Sequence, residues 1–114
     1  MNVVMTKKVN IKEVFRECRG LLIRHSNVSE LIINSKLKLE ENISSKSSYL
    51  KKIVEILNEL EETEKMLILE KYVKSSTKKN VYIYMKLNLS ERTFYRLKKK
   101  AVDNFESLYN QVFI

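Results

Sequence analysis

Between Leu87 and Val102 the chain reads Leu-Asn-Leu-Ser-Glu-Arg-Thr-Phe-Tyr-Arg-Leu-Lys-Lys-Lys-Ala-Val. Arginine presents a planar fork of donors that matches the two acceptors on the major-groove edge of guanine. Arg92 and Arg96 stand one helical turn apart, so a helix over this stretch aims both forks the same way. Thr93 and Tyr95 can touch a thymine methyl or a phosphate, and Lys99 and Lys100 suit backbone charge. A second polar group, Ser76, Thr77, Lys78 and Lys79, precedes the next apolar segment and suits phosphate oxygens.

No catalytic constellation competes with this one. His25 is the only histidine and lies beside an expected break. Cys18 is the only cysteine, sits on an apolar helix face, and reads as buried and inert. There is no metal-ligand set, no glycine-rich phosphate loop, and no carboxylate pair with support for acid–base work. Glu61, Glu62 and Glu64 read as capping and solubility. The expectation is a protein that is not an enzyme, with no cofactor, metal or small-molecule substrate.

The elements that position these residues are read from breakers and periodicity. Proline is absent and Gly20 is the only glycine, which points to an all-α chain with short polar connections. Ile11, Val14, Phe15, Cys18, Leu21 and Leu22 predict an amphipathic helix within Val9 to Ile23. A second helix is expected from a Ser29 cap through Leu39, with less regular spacing. Asn42 to Ser48, rich in serine, reads as a linker. It separates an N-terminal helical arm or hairpin, residues 1–48, from a C-terminal domain, residues 49–114.

A third helix carries Leu50, Ile53, Val54, Leu57 and Leu60, with Glu55, Glu59, Glu61 and Glu62 on its outer side. Thr63 is expected to cap a fourth through Tyr72, and a short fifth holds Val81, Ile83, Tyr84 and Leu87. Asn88 falls where the chain must turn left-handed, which asparagine tolerates. Ser90 then caps the last helix, whose apolar stripe is Phe94, Leu97, Ala101, Phe105 and Leu108.

Charge follows the same division. The chain has 22 basic and 14 acidic residues, a net +8. Residues 55–70 carry −5, whereas residues 71–100 hold ten basic residues against the single acid Glu91. Such a block suits a polyanion. With one cysteine, no apolar run near the roughly 20 residues of a membrane span, and no signal-like start over Met1 to Asn10, a cytoplasmic setting is expected.

The stretch Leu89-Ser90-x-x-Thr93-Phe94-x-Arg96-Leu97-x-x-x-Ala101-Val102 resembles the region-4 helix-turn-helix of bacterial sigma factors. Glu64-Lys65-x-Leu67-Ile68-x-x-Lys71-Tyr72 is similar to the helix preceding it in that fold. The Arg-Thr-Phe-Tyr-Arg-Leu core looks more specifically like phage late-transcription regulators of the ArpU and RinA type. The likeness covers about half of the chain, Leu57 to Leu108. Asn88 replaces the usual glycine, Tyr84 replaces a usual alanine, and the loop after Tyr72 is about two residues longer than the pattern.

The resemblance implies an all-α protein whose arm precedes a sigma region-4-like helix-turn-helix. It also implies a sequence-specific binder of double-stranded DNA, reading the major groove with the helix from Ser90. Base contacts fall on Glu91, Arg92, Thr93, Tyr95 and Arg96, and phosphate contacts on Ser76, Thr77, Lys78, Lys79, Lys99 and Lys100. With no room expected for a −10-melting domain, the implied role is activation of phage or mobile-element late genes. RNA polymerase or a phage or host regulatory protein is then a partner for the acidic face, and a homodimer is open. The competing reading is a helical interaction module that dimerises or sequesters a regulator; its complex would be indifferent to Arg92 and Arg96.

Overall fold

The computed structural model describes residues 8–41, 48–74 and 79–113. Its elements are α1 (Ile11–His25), a 3₁₀ turn (Val28–Glu30), α2 (Ser48–Glu59), α3 (Glu62–Ile68) continued by one π-helical segment (Leu69–Lys74), α4 (Asn80–Lys86) and α5 (Glu91–Phe113). The described residues contain no strand, only an isolated antiparallel bridge between Ser26 and Leu39. None of the described helices is long and apolar enough to cross a membrane.

α1 forms as its spacing requires. The Asn10 side chain accepts from the Glu13 backbone N–H, and Ile11, Val14, Phe15, Cys18 and Leu22 are buried on one side. Phe15 packs between the rings of Tyr72, at 6.1 Å, and Phe105, at 5.3 Å. One core therefore holds residues of α1, α2, α3 and α5, spanning the boundary expected near residue 48. The serine-rich stretch expected as a linker lies mostly outside the described residues, and Ser48 opens α2.

The helix expected from Ser29 through Leu39 is not formed. After the short 3₁₀ turn the chain turns at Ile33 and Asn34, with Asn34 at φ 67° and the Ser35 N–H donating to the Ile32 carbonyl, and then runs extended. Side chains of other elements take the hydrogen bonds that a helix would have used. Leu37 donates its N–H to Asn58 Oδ1 and accepts from Asn58 Nδ2, both at 2.9 Å. Lys65 Nζ donates to the Ser35 carbonyl at 2.7 Å, and the Asn34 N–H donates to Glu62 at 2.7 Å. Leu31 and Leu37 go inward while Ile32 and Ile33 stay exposed.

α3 starts one residue before the expected Thr63 cap, with Glu61 at the cap position and no side-chain cap bond. From Glu64 to Glu70 every residue is buried, so this is the central helix. Its charged groups are met locally by a hydrogen bond and by ion pairs. Asn104 Nδ2 donates to Glu64 at 2.6 Å, and Lys65 pairs with Glu62 at 3.0 Å. Glu70 pairs with Lys74 at 3.1 Å and Lys86 at 3.0 Å. Glu62 and Glu64 are thus structural, where solubility and capping were expected.

A second, smaller core of Leu67, Ile83 and Phe94, flanked by Tyr84, Leu87, Leu89 and Leu97, seats α4 and the start of α5 on α3. The Glu70–Lys86 pair adds a polar tie between the same elements.

Candidate nucleic-acid interface

α4 ends in a Schellman arrangement. The Asn88 N–H donates to the Met85 carbonyl at 3.1 Å and the Leu89 N–H to the Tyr84 carbonyl at 2.8 Å. Asn88 has φ 58°, the left-handed position expected for it. Leu89 and Tyr84 share the small core, and the Tyr84 ring lies 5.7 Å from Phe94. The large Tyr84 side chain is therefore accommodated against Phe94.

The expected Ser90 cap also forms. Ser90 Oγ accepts from the Thr93 N–H at 3.1 Å and donates to Thr93 Oγ1 at 2.9 Å, while its carbonyl accepts from the Phe94 N–H. These bonds satisfy donors that a helix start leaves open. Beyond the cap, Phe94, Ala101 and Phe105 are buried on one stripe, and Leu97 and Leu108 are partly buried beside them. The helix continues to Phe113, where Tyr49, Tyr109 and Phe113 pack and the Tyr49 and Tyr109 hydroxyls are 3.0 Å apart.

Opposite that stripe Arg92, Arg96 and Lys99 are exposed, flanked by exposed Lys100, while Glu91 is exposed in the first turn nearer the stripe. Arg92, Arg96 and Lys99 follow i, i+4, i+7, so they line one side of the helix. Tyr95 is 47% exposed, with its ring edge-on to Phe94 and its hydroxyl accepting from Asn80 Nδ2 at 3.4 Å. Thr93 is half-buried, and its hydroxyl oxygen is engaged by Ser90. Lys79 is exposed at the start of α4. Ser76, Thr77 and Lys78 lie outside the described residues.

Sequence reasoning missed a link behind this face. Lys71 Nζ donates to Asn80 Oδ1 at 2.6 Å, so Asn80 joins the α3 extension to Tyr95 on α5. Burial, then the nearby Lys98 and Lys12 ammonium groups, hold the Lys71 pKa below the usual lysine value. A basic cleft of about 400 Å³ opens there, lined by Lys12, Arg16, Arg19, Lys71 and Tyr72. Its signal was present in the spacing of Lys12, Arg16 and Arg19, which is helical. Lys71 could not be assigned to the same place without the tertiary fold.

Cys18 is buried, and desolvation pushes its thiol up to about 12, so the thiolate required of a nucleophile is not formed near neutral pH. His25 Nδ1 lies 3.2 Å from Glu40 in a surface pair. The chain matches no family model, no curated protein and no solved structure.

Proposed function

We propose that this protein binds double-stranded DNA with sequence preference and regulates transcription, reading the major groove with the N-terminal half of α5. One observation carries the reading. A left-handed turn at Asn88 and a Ser90 cap deliver a helix whose inner stripe is buried while Arg92, Arg96, Lys99 and Lys100 face solvent together. A helix presented in this way is the reading element of a helix-turn-helix.

In this reading α5 lies in the groove with Arg92 and Arg96 against guanine edges, and each bidentate contact contributes about 1–3 kcal/mol of discrimination. Tyr95, held by Asn80, meets a thymine methyl or a backbone oxygen. Glu91 accepts from a cytosine amine. Thr93 contributes through the cap that fixes the helix start. Lys79, Lys99 and Lys100 neutralise phosphates, which fix register without reading sequence. Activation of late genes in a phage or mobile element is supported by the sigma region-4-like and ArpU/RinA-like motif around Ser90–Val102. Double-stranded DNA is the principal partner in this account, with RNA polymerase as the protein partner.

Selection of bound duplexes from a random pool, at near-physiological salt, tests the proposal. The wild type should enrich a defined motif, and Arg96→Ala should lose preference at one position of it. Enrichment of no motif by the folded wild type would overturn the reading. A second reading, a protein-interaction module, draws on exposed Ile32 and Ile33 beside the buried Leu31. It predicts a stoichiometric protein complex unaltered by Arg92→Ala or Arg96→Ala.

A further inference from the structure

The basic residues of α1 have no role in the interface described above, yet they are not scattered. Lys12, Arg16 and Arg19 stand together on one side of the helix, flanking the buried Phe15 and turned away from Val14 and Cys18. Together with Lys71 they make four of the five described residues lining one cleft, and none of these five is acidic. Glu13 pairs with Arg16 at the exposed rim and offsets part of that charge, but four cationic lining residues against this one carboxylate keep the cleft net positive. Arg19 Nε donates to the Val73 carbonyl at 3.4 Å, so its guanidinium is tied to the cleft wall.

Gathering like charges around one concavity raises the energy of the unliganded protein and concentrates anions there. The cleft also adjoins the α5 face. Lys71 reaches Tyr95 through Asn80, and Lys98, on the same flank of α5 as Tyr95, is near enough to Lys71 to help lower its pKa. Cationic side chains thus run from α1 to the α3 extension, which is linked through Asn80 to the Tyr95 flank of α5.

We propose that the α1 cleft is a second phosphate-binding surface, in which Lys12, Arg16, Arg19 and Lys71 hold the sugar–phosphate backbone of the same duplex whose bases α5 reads. The inference rests on the DNA-binding reading above and extends it. The first helix becomes part of the DNA footprint and contributes affinity without sequence preference. Phosphodiester oxygens suit this lining because lysine acts as a mobile point charge and arginine as a planar fork.

Duplex affinity measured between 50 and 200 mM salt separates the possibilities, using wild type, K12Q/R16Q and R96A. Each phosphate contact contributes about 0.9 to the slope of log affinity against log salt. K12Q/R16Q should therefore lower the slope by about 1.8, so that its loss over this fourfold salt range is about 12-fold smaller than the wild type's. Its selected motif should stay the same. Lys12 and Arg16 are both exposed, so the fold should be retained; if the pair is not recovered, R16Q alone should give half the change in slope.

An unchanged slope in folded K12Q/R16Q, with R96A still losing sequence preference, would remove α1 from the interface and leave the DNA reading standing. Absence of salt-dependent duplex binding by the wild type would overturn both. Thermal stabilisation of the wild type by millimolar inorganic phosphate, combined with an unchanged DNA slope in K12Q/R16Q, would assign the cleft to a free anion and overturn the proposal.

Discussion

Asn88 shows how much of the interface depends on one backbone position. At φ 58° a side chain with a β-carbon crowds the following carbonyl, and asparagine tolerates this better than most residues. Asn88→Gly should therefore be neutral or stabilising by less than about 1 kcal/mol, whereas Asn88→Val should destabilise by about 1–2 kcal/mol or more, as read by urea unfolding. Ser90→Ala, which removes the acceptor for the Thr93 N–H, should cost about 1 kcal/mol by the same measurement. Cys18, by contrast, should resist thiol reagents in the folded protein, because burial holds it protonated far above neutrality.

At the scale of elements, α3 and its π-helical extension determine where α4 and α5 sit. Leu67 supplies the hydrophobic contact and Glu70 the polar one. Burial pushes the Glu70 carboxyl up, but the Lys86 and Lys74 ammonium groups outweigh it and hold the pKa below the ordinary value of 4.5. A depressed folded-state pKa means the stabilisation is complete above 4.5 and is lost as pH falls through the lower folded-state value. Glu70→Gln should cost about 1–3 kcal/mol at neutral pH, nearer the lower figure because Lys86 reaches solvent. It should also flatten the acid limb of the stability profile below pH 4.5, measured by thermal melts across pH.

The same elements mark what could be read from the sequence. The turn and cap at Asn88 and Ser90, and the apolar stripe of α5, follow from local rules and are found as expected. Residues 31–39 defeated those rules because their hydrogen-bond partners, Asn58, Lys65 and Glu62, lie more than twenty residues away. The inward–outward alternation of Lys36-Leu37-Lys38-Leu39 was the available sign of an extended chain. Glu64 reads as a capping and solubility charge because nothing local reveals that Asn104 comes to meet it, and the burial of Lys65 and Glu70 beside Ser35 and Lys86 has no local sign either.

Across the whole molecule, the division into an acidic 55–70 segment and a basic 71–100 segment becomes spatial only in part. Two of the acids, Glu64 and Glu70, are internal to the fold, and α1 adds cations to the basic side. The surface offered to a polyanion is therefore larger than the C-terminal segment alone, which predicts a salt slope steeper than the α5 cations account for. The central claim, that the Arg92–Arg96 side of α5 reads base edges, is tested most directly with two duplexes. One carries the sequence selected by the wild type and the other a scrambled version, each titrated with wild type and Arg96→Ala at one near-physiological salt concentration. The account predicts a loss of about 5- to 150-fold for Arg96→Ala on the selected duplex and a much smaller loss on the scrambled one. Equal affinity of the wild type for both duplexes, or an Arg96→Ala loss of the same size on each, would contradict it.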